Sequence, residues 1–147
     1  MRFVVALFLA VCFAGGTAAA AEQPLKVGIL LELSGPFGPS GTLVLHGFQY
    51  YLQKQGGKFG GRTVETVIED TAGDPATAIT KVKKLVEADH IDVLLGPLSS
   101  ATGAAVKTYV IEQKLPEFIM ATVAELVDGH YMFRTTLYAH AANPETM

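Results

Sequence analysis

The feature that most constrains this chain is a short apolar run, Leu25–Leu31 (LKVGILL), followed at once by a glycine- and proline-rich stretch, Ser34–Gly41 (SGPFGPSG). A run that is apolar at nearly every position reads as a strand buried on both faces, which points to a parallel sheet covered by helices. The stretch after it reads as a loop. From Thr42 to about Gln55, Val44, Phe48, Tyr51 and Leu52 recur at helical spacing, and Gly56–Gly61 (GGKFGG) ends that helix and turns the chain.

The same alternation continues. Thr63–Glu69 is a second strand candidate, and Asp74-Pro75 reads as the N-cap and first residue of a second helix. Ile79, Val82, Leu85 and Val86 give that helix one buried stripe. Ile91–Leu95 (IDVLL) is a third strand and ends in Gly96-Pro97. A helix of weaker periodicity covers about Ala101–Gln113, Pro116–Met120 is a fourth strand, and Tyr131–Thr135 is a fifth. The expected fold class is α/β, a doubly wound parallel sheet with helices on both faces. Ligands of such sheets sit at the carboxyl ends of the strands, where strand order reverses. The loops to inspect are therefore Ser34–Gly41, Gly96–Ala101 and Ala121–Asp128.

The first 21 residues are of a different kind. One charge, Arg2, precedes an unbroken apolar run from Phe3 to Ala14, and Ala18–Ala21 offers small-x-small cleavage sites. This is the layout of a secretory signal peptide cleaved near Ala21. Twelve apolar residues make a helix of about 18 Å, short of the roughly 30 Å hydrocarbon core a membrane anchor must cross. Cys12 lies inside this run and is expected to leave with it. The domain reading is a signal peptide over 1–21 and a ligand-binding lobe over 22–147.

Composition excludes several function classes. The net charge of −3 argues against a nucleic-acid partner. One cysteine excludes a disulfide framework and a zinc site of paired thiolates. Gly35, Gly38 and Gly41 follow a strand, but their G-x-x-G-x-x-G spacing is not the dinucleotide fingerprint, and Pro36 and Pro39 remove two amides that would cradle phosphate. No G-x-S-x-G elbow raises Ser40, Ser99 or Ser100 as a nucleophile. His46, His90, His130 and His140 show neither metal nor triad spacing. Glu69, Asp70 and Asp74 form an acidic cluster that capping and helix-dipole effects explain. The chain is expected to be no enzyme and to need no metal or cofactor.

Ser99 and Ser100 follow a buried strand and open a helix. Hydroxyls and free amides in that position suit a carboxylate, although an ordinary N-cap would account for one serine. Ala121-Thr122 repeats the arrangement after the next strand.

Taken together, KVGILLELSGPFGPSG, the GGKFGGR turn, VIEDTAGDPATAITKVKKLVEADHIDVLLGPLSS and the PEFIM…YMFRTT stretch resemble the type I periplasmic binding proteins, in the branch of leucine/isoleucine/valine-type receptors of ABC importers. The resemblance runs from about Leu25 to Thr136. It implies a two-lobed hinged receptor in the periplasm that closes on a small solute, an amino acid or a related carboxylate or amide, and presents it to a membrane permease. It also implies site residues. Ser100, Met120 and Thr122 match the positions that grip the solute, Ser99 and Ala121 adjoin them, and Phe37 to Ser40 form the rim. Ser40 stands where some amino-acid receptors carry an aromatic residue, and Met120 is bulkier than the usual small residue. Both departures admit aromatic acids, amides or other carboxylates. Complete members are two to three times this length, so the chain is expected to be an N-terminal fragment with one lobe. The same fold also serves as a ligand sensor feeding a signalling partner; an enzyme on a doubly wound sheet is the remaining alternative.

Overall fold

In the computed structural model, which describes residues 22–135, the apolar run forms strand β1, Leu25–Leu31. Its side chains alternate between two cores. Val27, Ile29 and Leu31 pack with Val44, Leu45 and Phe48 of helix α1, Gly38–Lys54. Leu30 points the other way, into a cluster with Ala78, Val82 and Leu85 of helix α2, Pro75–Glu87, and Val106 and Val110 of helix α3, Ser100–Glu112. The expectation of a strand buried on both faces holds because period-two alternation places apolar residues on each side. Gly28 lies where a Cβ would stand 2.5 Å from Ile91 Cδ1, so the second core closes directly on the backbone there.

The remaining strands are β2, Lys58–Phe59; β3, Arg62–Asp70; β4, Val93–Leu95; β5, Glu117–Ile119; and β6, Met132–Arg134. Their order in the sheet is β2-β3-β1-β4-β5-β6. All pairings are parallel except the hairpin of β2 with β3, where Lys58 opposes Thr63 and Phe59 opposes Arg62. The chain leaves β1 through α1 toward β3 and then crosses back through α2 to β4. Strand order reverses at β1, and the reversal opens a crevice at the carboxyl ends of β1 and β4. The doubly wound architecture is as expected.

Several boundaries differ from the sequence reading. Helix α1 begins at Gly38, inside the segment expected to be all loop. Pro39 sits in the first helical turn, where its missing N–H costs nothing. Gly41 lets the helix approach the end of β1; a Cβ there would lie 2.0 Å from the Glu32 carbonyl oxygen. Tyr51, one of the residues at helical spacing, is exposed and meets the Phe59 ring at a tilt, with centroids 6.0 Å apart. In α2, Ile79 is exposed and Ala78 takes its place beside Val82 and Leu85. The GGKFGG turn contains β2, a strand too short to register as a period-two pattern. Strand β4 starts two residues after Ile91, and the Asp92 carboxylate instead accepts from Lys26 N at 2.8 Å.

The acidic cluster divides into three roles, and only Asp74 caps a helix. Its Oδ1 accepts from Thr77 N at 2.7 Å, and that partnership holds its carboxyl below the usual range. Glu69 instead pairs with Lys81 and Lys84, each at 2.7 Å. Burial alone would raise its carboxyl; the two lysines outweigh burial and hold it low. Asp70 accepts from Leu33 N and Ala72 N, both at 2.8 Å, and so ties the end of β1 to the end of β3. The expected signal peptide, Cys12 and His140 lie outside the described residues. Among the described residues no helix is long and apolar enough to cross a membrane.

Candidate functional site

Three loops meet at the carboxyl ends of β1, β4 and β5, and a cleft of about 530 Å³ opens between them. Its walls are Phe37, Ser40, Leu98, Ser99, Ser100, Ala101, Met120 and Thr122. Six of the seven residues singled out in the sequence are brought together here. The seventh, Ala121, is buried behind the wall at 1% exposure and packs in the core beside Ile119 and Leu126.

The local sequence explains the arrangement. Gly96 has φ +102, and a Cβ there would sit 2.0 Å from the Leu30 carbonyl oxygen, so only glycine lets β4 turn out of the sheet at this point. The Gly96-Pro97 peptide is cis. The Met120 N–H donates to the Pro97 carbonyl at 3.1 Å and locks the loop after β5 to the loop after β4. Ser99 is the N-cap of α3. Its Oγ accepts from Ala101 N at 3.2 Å, which leaves the hydroxyl hydrogen as its remaining polar contact. Ser100 is the first helical residue, so it carries one of the amide groups that a helix leaves without an internal acceptor. Phe37 is the N-cap position of α1 and stands 47% exposed at the rim; Ser40, one turn on, is also exposed.

Sequence reasoning missed Glu32. It follows β1 directly and is fully buried. Its carboxylate accepts from Leu98 N at 3.0 Å, Ser99 N at 3.4 Å and Thr102 Oγ1 at 2.6 Å. A charged residue between two leucines after an apolar strand was a visible signal, since burying such a group is costly unless partners meet it.

The chemistry of the wall is selective. Phe37, Leu98 and Met120 supply apolar surface, whereas Ser40, Ser99, Ser100 and Thr122 supply hydroxyls and the start of α3 supplies amides. None of the wall residues is ionisable. Among the described residues no group of three or more His, Cys, Asp or Glu side chains is placed to hold a metal ion. His46, His90 and His130 are exposed and apart from the cleft.

A second depression, about 380 Å³, lies on the α1 face of the sheet, lined by Val27, Phe48, Phe59, Val93, Leu95 and Phe118 among others. It is almost wholly apolar and lies toward the amino ends of β1, β4 and β5, away from the cleft.

Comparison with known proteins agrees with this geometry. A family model described as periplasmic binding protein matches residues 24–147. The Leu/Ile/Val-binding protein homolog 6 of Brucella abortus (strain 2308) is 29% identical over 135 residues, which is 90% of this chain and 35% of the relative. A solute-binding protein of an ABC transporter from R. palustris, solved in complex with benzoate, superposes with a TM-score of 0.74 at 32% identity, covering 79% of this chain and 33% of its own. The branched-chain amino acid transporter substrate-binding protein of Streptococcus pneumoniae, solved with isoleucine, gives a TM-score of 0.72 at 26% identity, covering 79% of this chain and 34% of its own. The chain thus spans about a third of the length of the proteins it matches. With the parallel sheet, its switch-point cleft and a match over 24–147, the chain belongs to the periplasmic binding protein family.

Proposed function

We propose that the chain supplies one lobe of an extracytoplasmic solute-binding protein that serves an ABC importer, and that its cleft takes a small aromatic carboxylate in preference to an α-amino acid. The observation that carries this reading is the composition of the cleft wall: apolar Phe37, Leu98 and Met120 beside hydroxyl and amide donors, with no ionisable side chain. A carboxylate needs donors, which Ser100, Thr122 and the first amides of α3 offer. A flat ring needs apolar walls. An α-amino acid also brings an ammonium, whose charged partner would have to come from the opposite wall. The benzoate complex of the R. palustris relative supports the same preference.

In this reading Met1–Ala21 is the export leader, the protein works in the periplasm, and the partner is the importer's permease. The opposite wall of the cleft comes from the second lobe of the family architecture. The solute then acts by population shift, since it contacts both lobes only in the closed form and stabilises closure by those added contacts. The activity is binding and delivery, not catalysis.

The test is an amide-resolved NMR titration of the chain with benzoate and, separately, isoleucine. Benzoate should move the Ser100, Ala101 and Thr122 resonances at lower concentration than isoleucine does. In the complete two-lobed protein, where closure buries the solute, Ser100→Ala and Thr122→Ala should each weaken benzoate binding by about 1–3 kcal/mol, the range for leaving a buried polar partner unmet. Tighter binding of isoleucine, or shifts elsewhere on the surface, would refute the assignment.

A further inference from the structure

The Glu32 carboxylate has no direct place on the cleft wall, yet it is the most heavily partnered buried acid near it. It lies at the end of β1, and its three donors all belong to the segment that builds the wall: Leu98 N and Ser99 N from the loop, and Thr102 Oγ1 from the first turn of α3. The two amides can only donate, and the single Thr102 hydroxyl hydrogen lies between Glu32 Oε1 at 2.6 Å and the Ser99 carbonyl at 2.9 Å. Loop N–H groups normally turn to water. Here two consecutive ones are turned inward and spent on an internal anion.

We propose that Glu32 is the positioning residue of the solute site. By drawing the Leu98 and Ser99 amides inward, it fixes the peptide plane that precedes Ser100 and leaves the Ser100 amide and hydroxyl as the donors facing the cleft. It also places a negative charge at the positive end of α3 before any solute arrives. The solute's carboxylate is therefore held by donors of fixed direction, and the helix charge contributes less to its affinity than it would in an open helix N-terminus. Sequence distance makes the link informative: Glu32 reaches across 66 to 70 residues to organise a loop on a different strand.

The inference rests on the solute reading for its binding arm but not for its structural arm. The experiment uses uniformly labelled protein expressed from the full 147-residue sequence, with benzoate as probe. Glu32→Gln keeps the size but turns one acceptor into a donor, so either Leu98 N–H or Ser99 N–H loses its acceptor whichever way the amide lies. Hydrogen exchange at Leu98 or Ser99 should speed up by about tenfold or more, as expected for loss of a charge-assisted bond, while Ile29 and Leu31 in β1 keep their protection. The concentration of benzoate needed to move Ser100 and Ala101 should rise at least about fivefold by the same reasoning.

If Glu32→Gln fails to fold, Thr102 carries the test. Thr102→Val removes the 2.6 Å link to Glu32 together with the 2.9 Å link to the Ser99 carbonyl and keeps the shape, and Thr102→Ser restores the hydroxyl. The expected result is weakened benzoate binding in the valine variant and recovery in the serine variant at equal thermal stability. Unchanged loop exchange in Glu32→Gln, or no recovery with serine, overturns the positioning role. A wild-type chain that responds to neither benzoate nor isoleucine overturns the solute reading instead, and the exchange comparison still decides the role of Glu32.

Discussion

Glu117 offers the sharpest quantitative test of the packing. It sits in β5, fully buried, with neither carboxylate oxygen hydrogen-bonded. It shares a strand face with Ile119 of the core cluster, between Leu94 of β4 and Met132 of β6. Burial pushes its carboxyl up to about 8, and the nearby Asp128 charge adds to the rise. An unfolded glutamate titrates near its ordinary value of 4.5. Between those two values the unfolded chain releases a proton that the folded chain keeps, so folding loses about 1.4 kcal/mol per pH unit. Stability from this residue is fully present below pH 4.5, about 3 kcal/mol has gone by pH 7, and about 4 kcal/mol by pH 8. That is a large share of the roughly 5–15 kcal/mol that holds a domain of this kind together.

Glu117→Gln removes the titration and keeps the shape. Urea unfolding at pH 5, 6, 7 and 8 should show the variant within about 1 kcal/mol of the parent at pH 5 and ahead by about 3 kcal/mol at pH 7. Taking the difference between the two proteins cancels the other carboxylates, whose contributions run in the opposite direction. Asp128→Asn should flatten the parent's slope in part. A difference between parent and Glu117→Gln that stays constant from pH 5 to 8 would show that this carboxyl ionises freely and would refute the buried, unpartnered assignment.

Other positions give independent checks. Gly96→Ala places a Cβ against the Leu30 carbonyl in a left-handed backbone; thermal unfolding should show a loss of about 3 kcal/mol or more, and a loss below 1 would mean the turn is not tight. Asp74→Ala removes the cap on Thr77 N and should cost about 1 kcal/mol in urea unfolding, whereas Asp74→Asn should be nearly neutral. Backbone amides of Met132, Tyr131 and His130 all point at Asp128 and draw its carboxyl down to about 2. Its stabilisation is present above the ordinary value of 3.8 and lost as pH falls toward 2, so acid titration of the Met132 amide shift should follow a midpoint well below that of a free aspartate.

Much of the fold was legible because burial imposes a period on the sequence. Leu25–Leu31 had to alternate into two cores, and Asp74-Pro75 had to open a helix. What escaped was set by contacts between distant segments. The start of α1 at Gly38 depends on Gly41 lying against the Glu32 carbonyl, a contact that no local pattern encodes. Tyr51 sits at the right spacing to be buried, but the short β2 strand gives it an aromatic neighbour at the surface in Phe59. Ala78 displaced Ile79 from the core because α2 lies close enough on β1 and α3 that a small side chain faces the contact.

The site shows the same division at finer scale. Residue type and position relative to strand ends pointed to Ser99, Ser100, Ala121 and Thr122, since loops at the carboxyl end of a parallel sheet converge by topology; Phe37, Ser40 and Met120 were implied by the family resemblance alone. Type and position were not enough to assign tasks among adjacent residues. Ser99 and Ser100 are chemically identical, and both precede the same helix. The difference is that Ser99 has extended backbone angles and turns its Oγ back to Ala101 N, while Ser100 already has helical ones. The Leu98 and Ser99 amides just before this point both donate to an acceptor 66 and 67 residues earlier. On the proposed positioning role of Glu32, removing that carboxylate should loosen both amides and blur the distinction between the capping serine and its neighbour before it disturbs the sheet, read as faster hydrogen exchange at Leu98 and Ser99 with Ile29 and Leu31 still protected.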